Sequence, residues 1–150
     1  MKHITLNNYG VLEHRIPKSL LESLRAQAKR LMKRKYTEEM KSELIGNKPP
    51  HFFLDDTKDL FGEIDKMVKV YEESYAYAKN IFMLSHSSNL RFGKPWVNVQ
   101  KDDQYIPNHI HDGVYAYACW IDIPYKTIFE FSYNNILGNN CRQQWEIGPM

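Results

Sequence analysis

The sequence contains little cysteine, no long hydrophobic run and no marked excess of charge of one sign. Its only cysteines are Cys119 and Cys141, so we expect a reducing, intracellular setting and no disulfide framework. Every apolar run is far shorter than the roughly 20 residues that a membrane span needs, and the opening MKHITLNNYG lacks the apolar core of a signal peptide. The formal net charge of +2 gives no strong field toward nucleic acid or membrane. We therefore expect a cytoplasmic protein that binds neither.

Aromatic residues, by contrast, are plentiful. Ten Tyr, seven Phe and three Trp occur among 150 residues, which favours β-structure or an aromatic-lined site. The length suits a single domain with one core, covering residues 1–150.

Two amphipathic helices are predicted in the N-terminal half. The first begins at Pro17, a residue suited to a first helical turn, and its apolar stripe consists of Leu20, Leu21, Leu24, Ala28, Leu31 and Met32. Its opposite face is basic from Arg25 to Lys35, which we interpret as a solvated surface because no base-reading motif accompanies it. The second helix is predicted from about Thr57 to about Phe82, with a buried face of Ile64, Met67, Val68, Tyr71, Tyr75 and Ala78.

From about residue 90 the pattern becomes typical of strands. The stretches PWVNVQ, GVYAYACWIDIPY and IFEFSYNNI are rich in β-branched and aromatic residues and are bounded by Pro, Gly or Asn. Helices over about 17–82, followed by strands over about 90–147, predict an α+β domain with its sheet in the C-terminal half.

His109 and His111 are the candidate metal ligands. Side chains at positions i and i+2 of a strand point to the same face, so the two imidazoles would lie side by side and could occupy two cis positions on one metal ion. Imidazole binds Zn, Fe, Cu and Ni, so the pair alone does not select the metal. His-x-His pairs are also common by chance, in which case both rings are solvated or hydrogen-bonded.

The surroundings of the pair resemble a stretch of the Fe(II)- and 2-oxoglutarate-dependent oxygenases, especially phage and bacterial, prolyl-hydroxylase-like members. Those proteins carry Trp-x-Asn on a strand, a polar turn, Pro-x-His-x-His with a Gly, and an aromatic strand ending in Pro. The matching residues are Trp96, Asn98, Pro107, His109, His111, Gly113, Tyr117 and Pro124. Leu44–Asn47 (LIGN) and Phe52–Asp56 (FFLDD) are weaker matches upstream, and the detailed resemblance covers about 96–135.

This resemblance implies a fold, an activity and a set of site residues. The fold would be a double-stranded β-helix, a jelly-roll relative, with the two N-terminal helices packed on one sheet. The activity would be oxidative decarboxylation of 2-oxoglutarate coupled to hydroxylation of a substrate. His109 and His111 would hold Fe(II), while Tyr117 and Asn98 would face the pocket as contacts for the small-molecule cosubstrate.

The sequence departs from the family pattern in three ways. The family places an acidic residue two positions after its first His, where this chain has His111, although Asp112 is adjacent. No His follows His111 to serve as the distal ligand, and only Lys126 and Arg142 are available as the cation that pairs with the far carboxylate of 2-oxoglutarate. The resemblance therefore implies a truncated or diverged member with only the first half of the β-roll, located in the host cytoplasm if a phage encodes it. Such a half-roll is expected to pair with another partner, to form a homodimer through its open strand edges, or to be marginal in stability.

Two other functions remain open on the sequence. A cupin-like metal- or sugar-binding module also uses His-x-His, but it continues with a Glu a few residues later, where this chain has Val114, Tyr115 and Ala116. A non-catalytic interaction protein that keeps the half-roll would explain the missing distal His. The substrate is not indicated, because the fold does not determine it.

Overall fold

The computed structural model describes residues 10–34, 49–80, 90–107, 109, 111, 113–124, 126–134 and 140–148. In chain order these form α1 (Lys18–Leu31), β1 (His51–Phe53), α2 (Lys58–Tyr75), α3 (Tyr77–Asn80), β2 (Trp96–Asn98), β3 (Thr127–Asn134) and β4 (Asn140–Ile147). β1 pairs with β2 and β3 pairs with β4, each antiparallel, so the predicted α+β class is confirmed. Within these ranges, no helix has the length and apolar character needed to cross a membrane.

Helix α1 follows its predicted apolar stripe closely. Pro17 caps its N-terminus, and Leu20, Leu24 and Leu31 are buried. Of the other predicted members, Leu21 and Ala28 are half-buried and Met32, at the end of the helix, is 49% exposed. The prediction is therefore correct for three leucines of the stripe, and it missed Gln27, which is buried beside them.

The second predicted helix is interrupted once. α2 ends at Ala76, whose φ of 47° and ψ of 37° lie in the left-handed region, and α3 begins directly after it. The Ala76 N–H donates to the carbonyl of Glu72, which closes the last turn of α2. The prediction therefore holds from Lys58 to Asn80 with a break at Ala76, and its last residues, 81 and 82, lie outside the described residues.

The core lies where both helices meet the short two-stranded sheet β1–β2, whose strands are separated in the chain by α2 and α3. β1 lies within the part predicted to be helical, so the prediction that the sheet is confined to the C-terminal half is wrong. The buried apolar residues of the core are Leu20, Leu24, Leu31, Phe52, Leu54, Leu60 and Ile64.

The two faces of the β1–β2 sheet differ. Phe52 and its partner Val97 face the helices, and the Leu54 N–H donates to the Pro95 carbonyl beyond the end of the ladder. Because side chains alternate along a strand, the other face of this sheet carries His51, Phe53, Trp96 and Asn98.

Polar contacts attach α1 to the segments around it. The Gln27 amide donates to the Asp56 carbonyl at 2.9 Å and accepts from the Asp56 N–H at 3.2 Å. Arg30 and Arg34 both bind the Asp55 carboxylate, at 2.7 and 2.8 Å. Three residues of the basic face of α1 are therefore engaged, since Arg25 binds the Ile121 carbonyl and the Asp122 carboxylate.

The aromatic run 114–124 was predicted to be a strand, and this is wrong. The run lies in neither helix nor strand. It follows Gly113, whose φ of 118° turns the backbone where a regular strand would continue. Its residues instead contact different neighbours one by one: Cys119 and Ile121 pack against the core, and the Tyr115 hydroxyl binds Glu72 of α2.

Strands β3 and β4 form a hairpin with one aromatic face. Phe129 lies opposite Trp145, and Phe131 contacts both rings edge-on, at centroid distances of 4.7 and 5.3 Å. Trp120 of the preceding run packs edge-on against Phe129 at 4.9 Å. This contact connects the hairpin to a segment whose next residue, Ile121, packs on the core.

Replacing Leu24 by Ala should lower the free energy of unfolding by about 2–5 kcal/mol, because the substitution leaves a cavity in a well-packed site. Leu24 is 2% exposed and belongs to the core cluster that joins α1 to α2 and to the β1–β2 sheet. Urea denaturation measures the change. Val70→Ala, at a helix position that is 48% exposed, is the control and should shift stability by less than about 0.5 kcal/mol. Equal effects of the two substitutions would contradict this core.

Acid sensitivity should be reduced in Glu63→Gln. Hydrogen bonds from Lys66 and then from His14, both at 2.8 Å, hold the pKa of the Glu63 carboxyl below its ordinary 4.5. A depressed folded-state pKa adds stability that is present above the unfolded-state pKa and is lost as the pH falls through the folded-state value. Urea midpoints of wild type and variant should therefore differ at pH 7 and converge as the pH falls through the folded-state pKa, which lies below 4.5. A constant difference across this range would refute the assignment.

Candidate metal centre

The face of the β1–β2 sheet that points away from the core is the base of the candidate site. His51 lies opposite Asn98, and Phe53 lies opposite Trp96. The Lys94 ammonium sits 4.2 Å from the centre of the Phe53 ring, a cation–π contact at the edge of this face. The two residues of the Trp-x-Asn motif thus share one surface with His51.

Trp96 stacks with two histidines. Its ring centre lies 5.1 Å from that of His51, with an interplanar angle of 22°, and 6.0 Å from that of His111, with an angle of 26°. The indole is 40% exposed. One of its two imidazole neighbours belongs to the paired strands, and the other belongs to the candidate ligand pair.

His109 and His111 lie side by side. Their Nε2 atoms are 2.9 Å apart, their ring centres 4.5 Å apart, and the rings are inclined by 64°. The i, i+2 spacing predicts this proximity, but the predicted reason is wrong, because both residues lie outside the strands. The rings are therefore brought together by the path of a loop and by its side-chain contacts.

The hydrogen bonds restrict the arrangement of protons on a neutral pair of rings. His109 Nδ1 is 2.8 Å from the Pro107 carbonyl, which can only accept, so Nδ1 is the donor of that bond. When both rings are neutral, Nε2 of His109 accepts the 2.9 Å hydrogen bond and Nε2 of His111 donates it. In that form His109 could bind a metal through Nε2, whereas Nε2 of His111 would first have to lose its proton.

The separation of the two Nε2 atoms fits two chemical arrangements. It is an ordinary N–H···N distance. It also equals the separation of two cis ligands on one ion, because metal–nitrogen bonds of about 2.1 Å at right angles put the nitrogens about 3.0 Å apart. The hydrogen-bonded pair therefore has the spacing that a divalent metal requires.

Two imidazoles are the donor set that the described residues supply. Among them, no group of three His, Cys, Asp or Glu side chains could hold a metal ion. Asp112, the acidic residue next to His111, lies outside the described residues. The pair fits two coordination positions of a transition metal that prefers imidazole, such as Fe, Zn, Cu or Ni.

Asn98 presents a buried acceptor with no hydrogen-bond partner in the described part of the chain. Its Oδ1 atom is shielded from solvent and receives no bond. Burying an amide oxygen without a donor costs about 1–3 kcal/mol, so such an atom indicates a place for a ligand or water hydroxyl. Asn98 shares its strand face with Trp96, which touches His111.

Tyr117 and Tyr115 do not both turn toward the pair, as regular strand alternation predicted. Tyr115 instead lies between Tyr71 and Tyr77, and its hydroxyl donates to Glu72. Burial and then this carboxylate raise the pKa of the Tyr115 hydroxyl above its usual range. Tyr117 is 45% exposed, and among the described contacts no ring contact or hydrogen bond joins it to the histidines.

The two basic residues that follow His111 both have acidic neighbours. Lys126 binds Glu146 at 3.1 Å, and Arg142 lies 3.9 Å from Glu130, both on the β3–β4 hairpin. These contacts direct both cations to carboxylates of the chain itself.

Sequence reasoning did not assign roles to Trp96 or to the Pro107 carbonyl. Both lie in the motif that carries the resemblance, and the signal was present in the spacing: Pro107 is two residues before His109, and Trp96 is two residues before Asn98. The sequence does not show that Trp96 stacks on His111 or that the Pro107 carbonyl accepts a hydrogen bond from His109.

Replacing Tyr115 by Phe should lower the free energy of unfolding by about 1 kcal/mol, because it removes the hydroxyl that Glu72 accepts from. The Ala78 N–H also donates to the same carboxylate oxygen, at 2.9 Å, so the carboxylate keeps one partner in the variant. Thermal or urea unfolding gives the measurement. Tyr105→Phe, at a residue that is 54% exposed, is the matched control and should have almost no effect.

Compared with models of known protein families, with curated proteins and with solved structures, the chain matches none.

Proposed function

We propose that this protein is a metal-dependent oxygenase of the Fe(II)/2-oxoglutarate type, in which His109 and His111 hold the iron. The observation that supports this most strongly is the convergence of the two Nε2 atoms at 2.9 Å, with His109 in the ligand tautomer when both rings are neutral. A second support is the Trp-x-Asn strand beside the pair, with its indole on His111.

His109 makes a hydrogen bond of the kind that orients a ligating imidazole in metal sites. A ligating His commonly donates its other ring N–H to a carbonyl or carboxylate, which fixes the ring and raises its basicity. The Pro107 carbonyl does this for His109 at 2.8 Å. In the proposal, Nε2 of each ring binds the metal, and the bound metal supplies oxygen activation at a position that the imidazoles leave open.

The chain's own polar groups would place the cosubstrate. The buried Asn98 Oδ1 receives no hydrogen bond among the described residues, and 2-oxoglutarate carries only acceptors, so we assign this oxygen to a water that would bridge to the bound cosubstrate. Tyr117 is the second assigned contact; burial and then Cys119 raise the pKa of its hydroxyl, so this group stays protonated and able to donate at neutral pH.

In this proposal the two small sheets belong to the first half of a double-stranded β-helix. The short β1–β2 pair and the longer β3–β4 pair are both antiparallel, as strands of such a roll are. Each sheet has two strands within the described ranges, and a second copy of the chain that pairs along a strand edge would complete a larger sheet.

Anaerobic titration with Fe(II), repeated with Co(II) as a spectroscopic probe, tests the proposed ligands. We expect one ion per chain, with affinity lowered at least about tenfold in His109→Ala and in His111→Ala, because each removes half of the imidazole set. His14→Gln is the control: it also removes an imidazole, but one whose partner is Glu63. Absence of one-to-one binding by the wild type would refute the proposal altogether.

The reaction is tested separately, by supplying Fe(II), 2-oxoglutarate and oxygen and measuring succinate. Succinate that depends on both histidines is the expected result. Metal binding without succinate would contradict the oxygenase and would favour a metal-binding module or a non-catalytic interaction protein. Asn98→Ala should raise the 2-oxoglutarate concentration needed for half-maximal turnover while leaving Co(II) binding unchanged.

A further inference from the structure

We infer that Trp96 is a positioning residue for His111. Its indole, fixed on the β1–β2 sheet, holds that imidazole where its Nε2 atom lies within hydrogen-bonding distance of Nε2 of His109. This inference rests on the proposed metal binding by the pair. It assigns a role to an exposed aromatic residue that contributes little to the core.

The first step is that the pair needs support from outside its own backbone. His109 and His111 lie in neither helix nor strand, so no regular hydrogen-bond ladder orients their side chains. His109 has its own support, the 2.8 Å bond to Pro107. His111 has a stacking contact with Trp96 and the bond to His109.

The second step is that Trp96 is itself held in place. It pairs with Phe53 in the β1–β2 ladder, and its ring stacks on His51 at 5.1 Å and 22°. The β1–β2 sheet is fixed through Phe52, which is 6% exposed in the core, and through the hydrogen bond from the Leu54 N–H to the Pro95 carbonyl. A continuous series of contacts therefore runs from the buried core to the ring of His111.

The third step concerns what the exposure of Trp96 implies. An indole that is 40% exposed gives up much of the hydrophobic stabilisation that burial would provide. Its ring contacts are with two imidazoles rather than with the core leucines. A flat ring parallel to His111 within 26° limits the rotation of that imidazole, which is what a ligand needs before a metal arrives.

The size of the effect follows from side-chain ordering. Immobilising one side chain on binding costs about 0.5–1.5 kcal/mol, so loss of the stack should weaken metal affinity by about 3- to 10-fold. Phe keeps a flat ring at position 96, whereas Leu keeps apolar volume without one. Trp96→Phe should therefore stay within about threefold of wild type, and Trp96→Leu should show the full loss.

The experiment measures Co(II) affinity of the full chain in wild type, Trp96→Phe and Trp96→Leu, with urea unfolding of each in parallel. Phe92→Leu is the control, because it changes a comparably exposed aromatic ring that stacks on Phe61 rather than on a histidine. We expect Trp96→Leu to lose affinity at nearly unchanged stability, and Phe92→Leu to keep wild-type affinity. Equal losses in the two variants would overturn the inference, because they would show that the effect does not depend on the contact with His111.

A double-mutant comparison separates positioning from general structural damage. If Trp96 acts through His111, Trp96→Leu should weaken Co(II) binding in a His109→Ala background and have no further effect in a His111→Ala background. Equal effects in both backgrounds would refute the assignment. If the wild type binds no Co(II), the proposed function fails; if it binds and Trp96→Leu binds equally well, only the present inference fails.

An optical readout adds a test that a purely structural role would not pass. In Trp120→Phe/Trp145→Phe, Trp96 is the only tryptophan left, and paramagnetic Co(II) bound by the adjacent imidazole should quench its fluorescence with the same midpoint as the absorbance titration. Fluorescence that is unchanged at saturating Co(II) would place the bound ion away from Trp96 and overturn the inference.

Discussion

The packing of Phe52 between the two helices is the contact on which the other features depend. β1 and β2 are three residues each, too short to be stable as an isolated pair. They persist because Phe52 and Val97 are covered by the apolar stripes of α1 and α2. Once this face is buried, the alternation of side chains leaves His51, Trp96 and Asn98 on the opposite side. The composition of the candidate site is thus a consequence of core packing.

The polar contacts act on the same arrangement by fixing the segments that flank it. Gln27 satisfies both backbone groups of Asp56, and Asp55 receives two guanidinium groups, so the chain between β1 and α2 is attached to α1. On the far side, Arg25 holds the carbonyl of Ile121. These contacts of α1 join distant parts of the sequence, and they lie around the β1–β2 sheet rather than around His109 and His111. The loop that carries the histidines is held mainly through ring contacts and through the Pro107 carbonyl.

Helices were predictable from the sequence because their apolar period is long enough to be distinctive. The apolar period predicted where both helices lie, but it predicted their buried faces less well. Of the face predicted for α2, only Ile64 is buried, and Met67, Val68, Tyr71, Tyr75 and Ala78 are half-buried. Leu60 and Glu63 are buried without having been predicted. The run 114–124 was predicted to be a strand because its aromatic and β-branched residues suit one, but Gly113 turns the chain before it. None of its residues is fully buried: Tyr115 contacts Glu72, and Tyr117 is exposed. Composition alone therefore predicted neither the conformation of this run nor the neighbours that its side chains contact.

The candidate site shows the same division. The spacing of His109 and His111 predicts two adjacent imidazoles, and the structure has them adjacent. Their support could not be predicted, because the stack of Trp96 on His111 joins residues from separate segments through tertiary structure alone. Asn98 was predicted from the resemblance, but the burial of its oxygen depends on the packing of the β1–β2 sheet and could not be predicted from the sequence.

The 2.9 Å hydrogen bond between the two Nε2 atoms keeps two exposed imidazoles pointing at each other. A metal ion could not lie on the line between these nitrogens, because two bonds of about 2.1 Å at a right angle put it to one side of that line. Each ring would have to turn by about 45°, and the hydrogen would have to leave Nε2 of His111, before both nitrogens could bind one ion. Capture of an ion by this pair would therefore depend on ring rotation and on pH.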